Sequence, residues 1–257
     1  MTSHPIARIL ELILIAGVFF AVEVAGSGVV STVAEEREFD YFTLALVWPP
    51  TYCTRSTKCC KQSGCCRGEN NPSVFTISGL WPDYNDGTYP SCCEGPSFNA
   101  NEISPLQGVM DTYWPSFSCK MSKTCNNTKV SFWASEWEKH GTCAAPVTGG
   151  QYNFFQTAIN LYSAYNVSEV IFGAGYVPSN SETYPSSGII SALENAFHAT
   201  PQIKCKNGAL QDLRICFTKD FKFRDCVGES KCPNDVSLPE PDVTRIAGLS
   251  VFGHESS

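Results

Sequence analysis

The amino-acid sequence predicts a single α+β domain that is secured by disulfide bonds. Residues 152–165 carry aromatic and aliphatic side chains at helical spacing, whereas residues 38–48 end in aromatic and β-branched residues that favour a strand. Fourteen cysteines lie in the chain, four of them among the strand-like segments of residues 203–232. Because 43% of the 257 residues are hydrophobic, the chain can form one sizeable core, and no repeat or linker divides it.

The remaining elements follow from local signals along the chain. The first strand stops at Pro49 and Pro50, and a cysteine-rich loop follows over residues 52–72. A second short strand is predicted over residues 74–78. Helices are predicted in four segments, residues 103–114, 130–142, 152–165 and 187–197. The residues after Pro239 are predicted to form a loosely ordered tail.

The cysteines and the N-terminus indicate an oxidising compartment. Zinc sites need repeated Cys-x2-Cys spacings, which the adjacent cysteine pairs of this chain do not provide, so disulfides are the better interpretation. Arg8 precedes an apolar run that ends at Val22, and small residues follow, which predicts a signal peptide over residues 1–26. Its apolar core is too short to span a bilayer comfortably, so we expect a protein free of the membrane. Secretion from the cell is the expected destination, with the vacuole as the alternative.

The charge balance argues against tight binding of RNA. The formal net charge is −7, and removal of residues 1–26, with one basic and two acidic residues, leaves −6. Proteins that hold nucleic acid through many phosphate contacts are usually basic. RNA or nucleotides are therefore expected to be weak partners at most, and a monomer is expected. Sequons at Asn126 and Asn166 predict glycosylation on a secreted surface.

Residues 132–143, Phe-Trp-Ala-Ser-Glu-Trp-Glu-Lys-His-Gly-Thr-Cys, bring together groups suited to a phosphodiester. At about 100° per residue, one helix face carries all four of the polar residues of interest: Ser135, Glu136, Lys139 and His140. A carboxylate, an ammonium and an imidazole on one face supply a proton carrier beside groups that stabilise an anion. The alternative is an exposed helix with i,i+3 and i,i+4 ion pairs that ends at the following glycine.

Two segments together resemble the signatures of the T2-type ribonucleases. Residues 75–83, Phe-Thr-Ile-Ser-Gly-Leu-Trp-Pro-Asp, resemble the first signature, whose usual form is Phe-Thr-Ile-His-Gly-Leu-Trp-Pro. Residues 132–143 resemble the second, which is usually Phe-Trp-x-His-Glu-Trp-x-Lys-His-Gly-Thr-Cys. The resemblance covers about residues 38–235. Three further features resemble the plant members of the family, which are the S-like ribonucleases and RNase-related proteins. These features are the opening segment of residues 48–60, the loop of residues 86–91 and the late cysteines Cys205, Cys216, Cys226 and Cys232.

This resemblance implies an α+β fold with a central antiparallel sheet, and RNA cleavage without a metal or other cofactor. In the family, the ribose 2′-hydroxyl attacks phosphorus and leaves a 2′,3′-cyclic phosphate, so a base takes the 2′ proton and an acid protonates the leaving oxygen. The first-signature histidine and the second histidine of the second signature share this proton work. The other histidine helps to hold the phosphate. His140 matches a proton carrier, and Glu136 and Lys139 match the residues that stabilise the transition state.

The match is incomplete at the residues that carry protons. Ser78 and Ser135 stand where the family has histidines, and Val47 stands where active plant members commonly have glutamine. A serine hydroxyl keeps its proton far above the range in which imidazole titrates, so it cannot replace a histidine unaided. His198 and His254 are the other histidines that remain after signal removal, and neither is an obvious replacement.

We therefore expect a T2-type protein that is inactive or strongly impaired as a ribonuclease. Its role would lie in storage, in stress or in RNA or nucleotide binding, with Trp48 and Trp81 expected to contact a substrate. The alternative is an active endoribonuclease that uses a substituted acid/base pair.

The resemblance also implies a disulfide framework. The implied pairs are Cys53–Cys59, Cys60–Cys119, Cys92 or Cys93 with Cys143, Cys205–Cys232 and Cys216–Cys226. The cysteines beyond this framework are Cys65, Cys66, Cys125 and one of Cys92 and Cys93. If all of these are bridged, Cys125 closes onto either the 65–66 loop or the 92–93 pair, and the sequence does not decide between them.

Overall fold

The computed structural model describes residues 37–53, 59–68 and 73–244. The described helices and strands all belong to one compact unit of the chain, which begins at Glu38. The predicted signal peptide over residues 1–26 lies outside the described residues and stays a prediction. The loosely ordered tail was predicted to begin after Pro239, but Glu240 exchanges two hydrogen bonds with Asn180, each of 3.1 Å. From residue 245 onward the tail lies outside the described residues, and its order there stays a prediction.

The strands form one large sheet and one small hairpin. Their bounds are β1 Tyr41–Val47, β2 Thr76–Asp83, β3 Ser122–Lys123, β4 Lys129–Val130, β5 Ser179–Pro185, β6 Gln202–Lys206, β7 Ala209–Phe217, β8 Phe223–Arg224 and β9 Asp235–Leu238. In the described part of the chain, the large sheet has the order β2-β1-β7-β9-β5, and β6 and β8 also pair with β7. Its neighbours run antiparallel except β7 and β9, which pair in parallel. The predicted α+β class with a central, mainly antiparallel sheet is confirmed.

Several helices pack against this sheet. Their bounds are α1 Pro49–Cys53, α2 Gln107–Tyr113, α3 Phe132–Glu136, α4 Thr142–Thr148, α5 Gln151–Ala164, α6 Val167–Gly173 and α7 Ser186–Phe197. A π-helical turn over Trp137–Gly141 joins α3 to α4, and 3₁₀ turns occur at Gly64–Cys66 and Ser104–Leu106.

The core lies where β1 and β2 meet α5. Every residue of β1 is buried, since β2 and β7 pair with its two edges and both of its faces are covered. Phe154 and Phe155 of α5 are fully buried and pack against the equally buried rings of Trp114 and Trp137. Large aromatic side chains dominate core energetics because each buries a large apolar area. The aromatic periodicity of residues 152–165 is thus explained by core packing.

Several elements differ from the sequence-based predictions. β2 begins at Thr76 rather than Val74 and continues to Asp83. It accommodates Pro82 because β2 is an edge strand, where a missing N–H breaks no ladder. The helix predicted over residues 130–142 begins at Phe132 and continues through the π-helical turn to Thr148. Six elements had not been predicted: α1, β3, β4, β5, α6 and β9.

Seven disulfides staple the described fold. They are Cys53–Cys65, Cys59–Cys66, Cys60–Cys119, Cys92–Cys125, Cys93–Cys143, Cys205–Cys232 and Cys216–Cys226. The expected Cys53–Cys59 bond is wrong. The 3₁₀ turn at Gly64–Cys66 places Cys65 and Cys66 beside different partners, each with a Cα–Cα distance of 5.3 Å. Cys125 pairs with Cys92, which decides between the two alternatives left open by the sequence.

Candidate active site

Strand β2 and the α3 segment meet at a carboxylate–indole contact. Trp81 Nε1 donates a hydrogen bond to Glu136 Oε2 at 3.2 Å, although the two residues are 55 positions apart. Gly79 makes this approach possible. A Cβ atom at Gly79 would lie 2.6 Å from Glu136 Oε2 and closer still to the Trp81 indole nitrogen. The Gly-Leu-Trp segment of the first signature thus has a steric reason for its glycine.

Glu136 is held in an environment that disfavours its charge. The side chain is buried, and burial raises the pKa of its carboxyl to about 7, against smaller opposing effects from Trp81 and Lys139. A carboxyl with a pKa near neutrality is protonated over most of the acidic range. Glu136 can therefore donate as well as accept a hydrogen bond at mildly acidic pH.

His140 lies beside the same indole. Its ring centroid is 5.6 Å from that of Trp81, with an angle of 38° between the planes. Burial, with a smaller contribution from Lys139, lowers the pKa of His140 to about 4. Its Nδ1 atom is buried and has no hydrogen-bond partner among the described residues. At neutral pH this imidazole is uncharged, so it can accept a proton but carries none to donate as an acid.

The π-helical turn changes the geometry that a regular helix would give. A π-helix closes i→i+5 hydrogen bonds, and such turns occur frequently at functional sites. Lys139 and His140 belong to this turn, whereas Ser135 and Glu136 belong to α3. The prediction that all four side chains share one helix face assumed a constant 100° per residue, which a π-helical turn does not keep, and it stays a prediction. The Ser135 hydroxyl contacts a separate element.

Ser135 is a structural residue of the hairpin contact. Only 3% of it is exposed, and its Oγ donates to the carbonyl oxygen of Lys123 on β3 at 3.0 Å. The hairpin is in turn tied by Cys92–Cys125, and the Cys92 N–H donates to the Lys139 carbonyl at 3.1 Å. The position at which the family resemblance expects a phosphate-holding histidine is therefore closed by backbone and hairpin contacts.

Ser78 lies in a more open setting. Ala45 pairs with Gly79 and Leu46 with Ile77, so Ser78 is the extra residue of a β-bulge in β2. Bulges re-aim side chains and are common next to active sites. Ser78 is half-buried, and its carbonyl accepts a hydrogen bond from Trp114 Nε1 at 3.2 Å.

A cavity of about 180 Å³ lies beside Ser78. Its walls include Val47 and the aromatic rings of Tyr52, Phe117 and Phe132. Two of the three substituted family positions, those occupied by Val47 and Ser78, therefore share one aromatic-lined space. Ser135 is not among its lining residues.

The two tryptophans expected to contact a substrate have different environments. Trp48 is fully buried, packs against Phe75 and Phe172, and donates from Nε1 to the Pro239 carbonyl at 2.9 Å. The expectation that it contacts a substrate is wrong, because it fills the core and anchors the chain after β9. Trp81 is half-buried beside His140, and its role in substrate contact stays a prediction.

Sequence reasoning missed a set of polar residues near the site. The Arg214 guanidinium lies 5.1 Å from the centre of the Trp81 ring, on the side of β1 opposite β2. Thr43 donates to Asp83 at 2.5 Å, and burial raises the pKa of that carboxyl. In the sheet, Arg214 lies opposite Ala45 of β1, and Trp81 lies opposite Thr43, two residues earlier in β1. In sequence, however, Arg214 is far from both signatures. No local signal marked it.

The other predicted site residues have simpler environments. His198 adopts a left-handed conformation (φ 53°) at the C-terminus of α7, which gives it a capping role. Asn126 is exposed in the β3–β4 turn, while Asn166 caps α6 by accepting from the Glu169 N–H at 3.2 Å. Glycosylation of either asparagine stays a prediction. In the described ranges, no helix is long and apolar enough to cross a membrane, and no group of three or more His, Cys, Asp or Glu residues could hold a metal ion.

Comparison with known proteins identifies the family of this chain. The Ribonuclease T2 family profile matches residues 39–226. The chain belongs to the Ribonuclease T2 family. It is 33% identical over 207 residues to Ribonuclease DdI of Dictyostelium discoideum, which covers 79% of this chain and 85% of that protein.

Solved structures extend the comparison. The structure of an RNase-related protein from Calystegia sepium is 47% identical and covers 80% of this chain and 99% of that one, with a TM-score of 0.76. The structure of RNase NT in complex with 5′-AMP is 29% identical and covers 79% of this chain and all of that one, with a TM-score of 0.66. The T2 family and fold implied by the two signatures are thus confirmed.

Proposed function

We propose that this T2 protein does not cleave RNA at a rate typical of the family. The observation that carries the proposal is the state of its proton-transfer residues. Of the three histidine positions implied by the signatures, only position 140 holds a histidine in this chain. Burial lowers the pKa of His140 to about 4, so its imidazole is neutral at higher pH. General acid–base assistance typically contributes about 10²- to 10⁴-fold. The loss of one partner at Ser78 should cost at least that factor, because acid and base act as a unit.

The decisive experiment is a ribonuclease assay of the purified mature chain from pH 4 to 8, beside an active T2 relative. Turnover comparable to the relative would overturn the proposal. The double variant Ser78→His/Ser135→His should gain activity, and adding His140→Ala should abolish the gain. If the double variant is folded and gains nothing, a further lesion exists, and Val47→Gln is the next change to test.

The alternative enzyme, with Ser78 in a substituted acid/base pair, makes a separate prediction. Removing its hydroxyl in Ser78→Ala should then lower any measured activity by roughly 10²-fold or more. Our proposal expects less than a threefold change. The variant removes a hydroxyl without adding bulk to the half-buried bulge, so it is well suited to the comparison.

Nucleotide binding is a second candidate function, supported by the cavity beside Ser78. Aromatic side chains suit the stacking of a base, and a relative of the same fold has been solved with 5′-AMP. Titration calorimetry with 5′-AMP and 5′-UMP tests this. Tyr52→Ala should weaken binding because Tyr52 lines the cavity while 42% exposed, whereas exposed Lys206→Gln is the matched control. The absence of heat at millimolar nucleotide would remove this function.

The destination and physiological role are proposals of a different kind. We propose export through the secretory pathway, supported by the N-terminal apolar segment and by the seven disulfides. A storage role predicts very high abundance in the tissue that falls during regrowth. Trace abundance at all stages would contradict storage.

A further inference from the structure

A second, larger cavity adjoins the one beside Ser78. Its volume is about 630 Å³, within the range of small-molecule sites in proteins. Three segments form its walls: the cysteine loop around residues 61–67, residues 115–121, and the start of α3 with β4. It shares four lining residues with the cavity beside Ser78, which are Pro115, Ser116, Ser118 and Phe132, but Ser78 itself is not among its lining residues.

The walls of this cavity are fixed by covalent bonds. Cys60–Cys119 joins the cysteine loop to the 115–121 segment, and Cys59–Cys66 closes the loop on itself. Trp133, on the third wall, donates from Nε1 to the Trp114 carbonyl at 2.9 Å, which holds its ring in place. A cavity between walls that are tied in this way is pre-formed, so a ligand does not have to order them.

The chemistry of the lining separates into an apolar floor and a basic rim. Apolar surface comes from residues such as Met121, Phe132 and Trp133, and Met121 is 60% exposed. The charged residues among the described lining are three basic ones and one acidic one: Lys61, Arg67, Lys120 and Asp111. This local excess of positive charge contrasts with the net charge of −7 for the chain.

Arg67 and the two lysines differ in how they can contribute. Arg67 is half-buried and donates to the Asp111 carbonyl in α2, and burial lowers its pKa. It therefore has a structural partner. Lys61 and Lys120 are exposed at the rim, where an anionic group over the apolar floor would meet their ammonium groups.

We propose that this cavity binds an aromatic organic anion, with its rings on the apolar floor and its acidic group at the Lys61–Lys120 rim. The lining of this cavity includes neither the three substituted family positions nor His140, although it adjoins the smaller cavity along their four shared residues. It does not depend on the proposed loss of ribonuclease activity.

The test uses two fluorescent dyes that differ in charge. The anionic probe is 1-anilinonaphthalene-8-sulfonate, and the neutral probe is N-phenyl-1-naphthylamine, which lacks the sulfonate. The sulfonate should bind the mature protein at one site, at least several-fold more tightly than the neutral dye. Its affinity should fall when salt is raised to about 0.5 M, because exposed charges are screened. Equal affinity for both dyes, or binding at many sites, would overturn the proposal.

Matched variants locate the binding. Lys61→Gln/Lys120→Gln should weaken binding of the sulfonate roughly tenfold, the effect of losing two exposed ion contacts, and leave the neutral dye unchanged. Both lysines are exposed, so folding should be preserved, which near-ultraviolet circular dichroism checks. Lys206→Gln controls for a general charge effect, and Tyr52→Ala controls for binding in the smaller cavity. An unchanged affinity in the double variant, or an equal loss in either control, would refute the assignment.

Discussion

Ser78 and Ser135 occupy equivalent places in the family comparison but very different places in the structure. Ser78 is half-buried on a β-bulge and faces a cavity. Ser135 is 3% exposed and donates a hydrogen bond to the backbone of the β3–β4 hairpin. The first substitution changed a side chain in an open site. The second substitution placed a serine in tight packing that a histidine would disturb. Restoring a histidine should therefore be easier at Ser78 than at Ser135.

The largest expected difference concerns recovered catalysis. Ser78→His should raise ribonuclease activity by roughly 10²-fold or more, because it returns a titratable imidazole to a position with free space. Ser135→His alone should raise it less than threefold, because the new side chain must displace the hairpin before it can reach a phosphate. Initial rates on a dinucleotide and on polymeric RNA measure both. Equal gains from the two single variants would break the distinction between the sites.

The Cys92–Cys125 bond tests whether the hairpin closes the Ser135 position. Replacing both cysteines with serine should lower the free energy of unfolding by about 3–4 kcal/mol, the value expected for a loop of this length. Urea unfolding measures this change. Combined with Ser78→His/Ser135→His, the same replacement should increase activity over the double histidine variant, since the hairpin can then move. A further decrease in a variant that remains folded would contradict the closing role.

Glu136 and His140 should give stability opposite pH dependences. The pKa of Glu136 is raised to about 7 in the folded protein, so its contribution to stability is fully present below its unfolded pKa and is lost as pH rises to about 7. The pKa of His140 is lowered to about 4, so its contribution is present above its unfolded pKa and is lost as pH falls to about 4. Each effect amounts to at most about 3 kcal/mol.

Single variants separate these two effects. Relative to the natural chain, Glu136→Gln should lose stability more steeply as pH falls from about 6.5 to 4, because only the histidine effect remains. His140→Asn should instead become more stable as pH falls from about 7 to 4.5. Urea unfolding at half-unit pH intervals measures both slopes. Slopes of the same sign in the two variants would show that these groups do not control the pH dependence.

The sequence predicted the parts of the fold that depend on local signals. β1 was recognisable from its aromatic and β-branched residues before Pro49, and α5 from its regular aromatic spacing. The environment of Ser135 was not predictable in this way. Hairpin strands of two residues leave almost no periodicity, and a π-helical turn breaks the constant rotation that a helical wheel assumes.

Residue type alone also failed to separate core from site. Trp48 and Trp81 both lie in motifs that the resemblance marked, but only the sheet register and the packing of Phe172 reveal that Trp48 is enclosed. One 3₁₀ turn likewise decides how four cysteines pair, giving the bonds Cys53–Cys65 and Cys59–Cys66. Contacts between segments distant in sequence decide such cases, and they leave no mark within either segment.

The smallest expected effect isolates the two hydroxyls without adding bulk. Ser135→Ala should lower the free energy of unfolding by about 1–2 kcal/mol, because the Lys123 carbonyl loses its donor in this partly buried hydrogen bond. Ser78→Ala should change it by less than about 0.5 kcal/mol, since the half-buried bulge position depends on backbone contacts, including that between its carbonyl and Trp114. Urea unfolding of both variants under the same conditions gives the difference. An equal cost at the two positions would show that Ser135 is no more tightly integrated than Ser78, and the expectation that only Ser78 can readily regain a working histidine would fail with it.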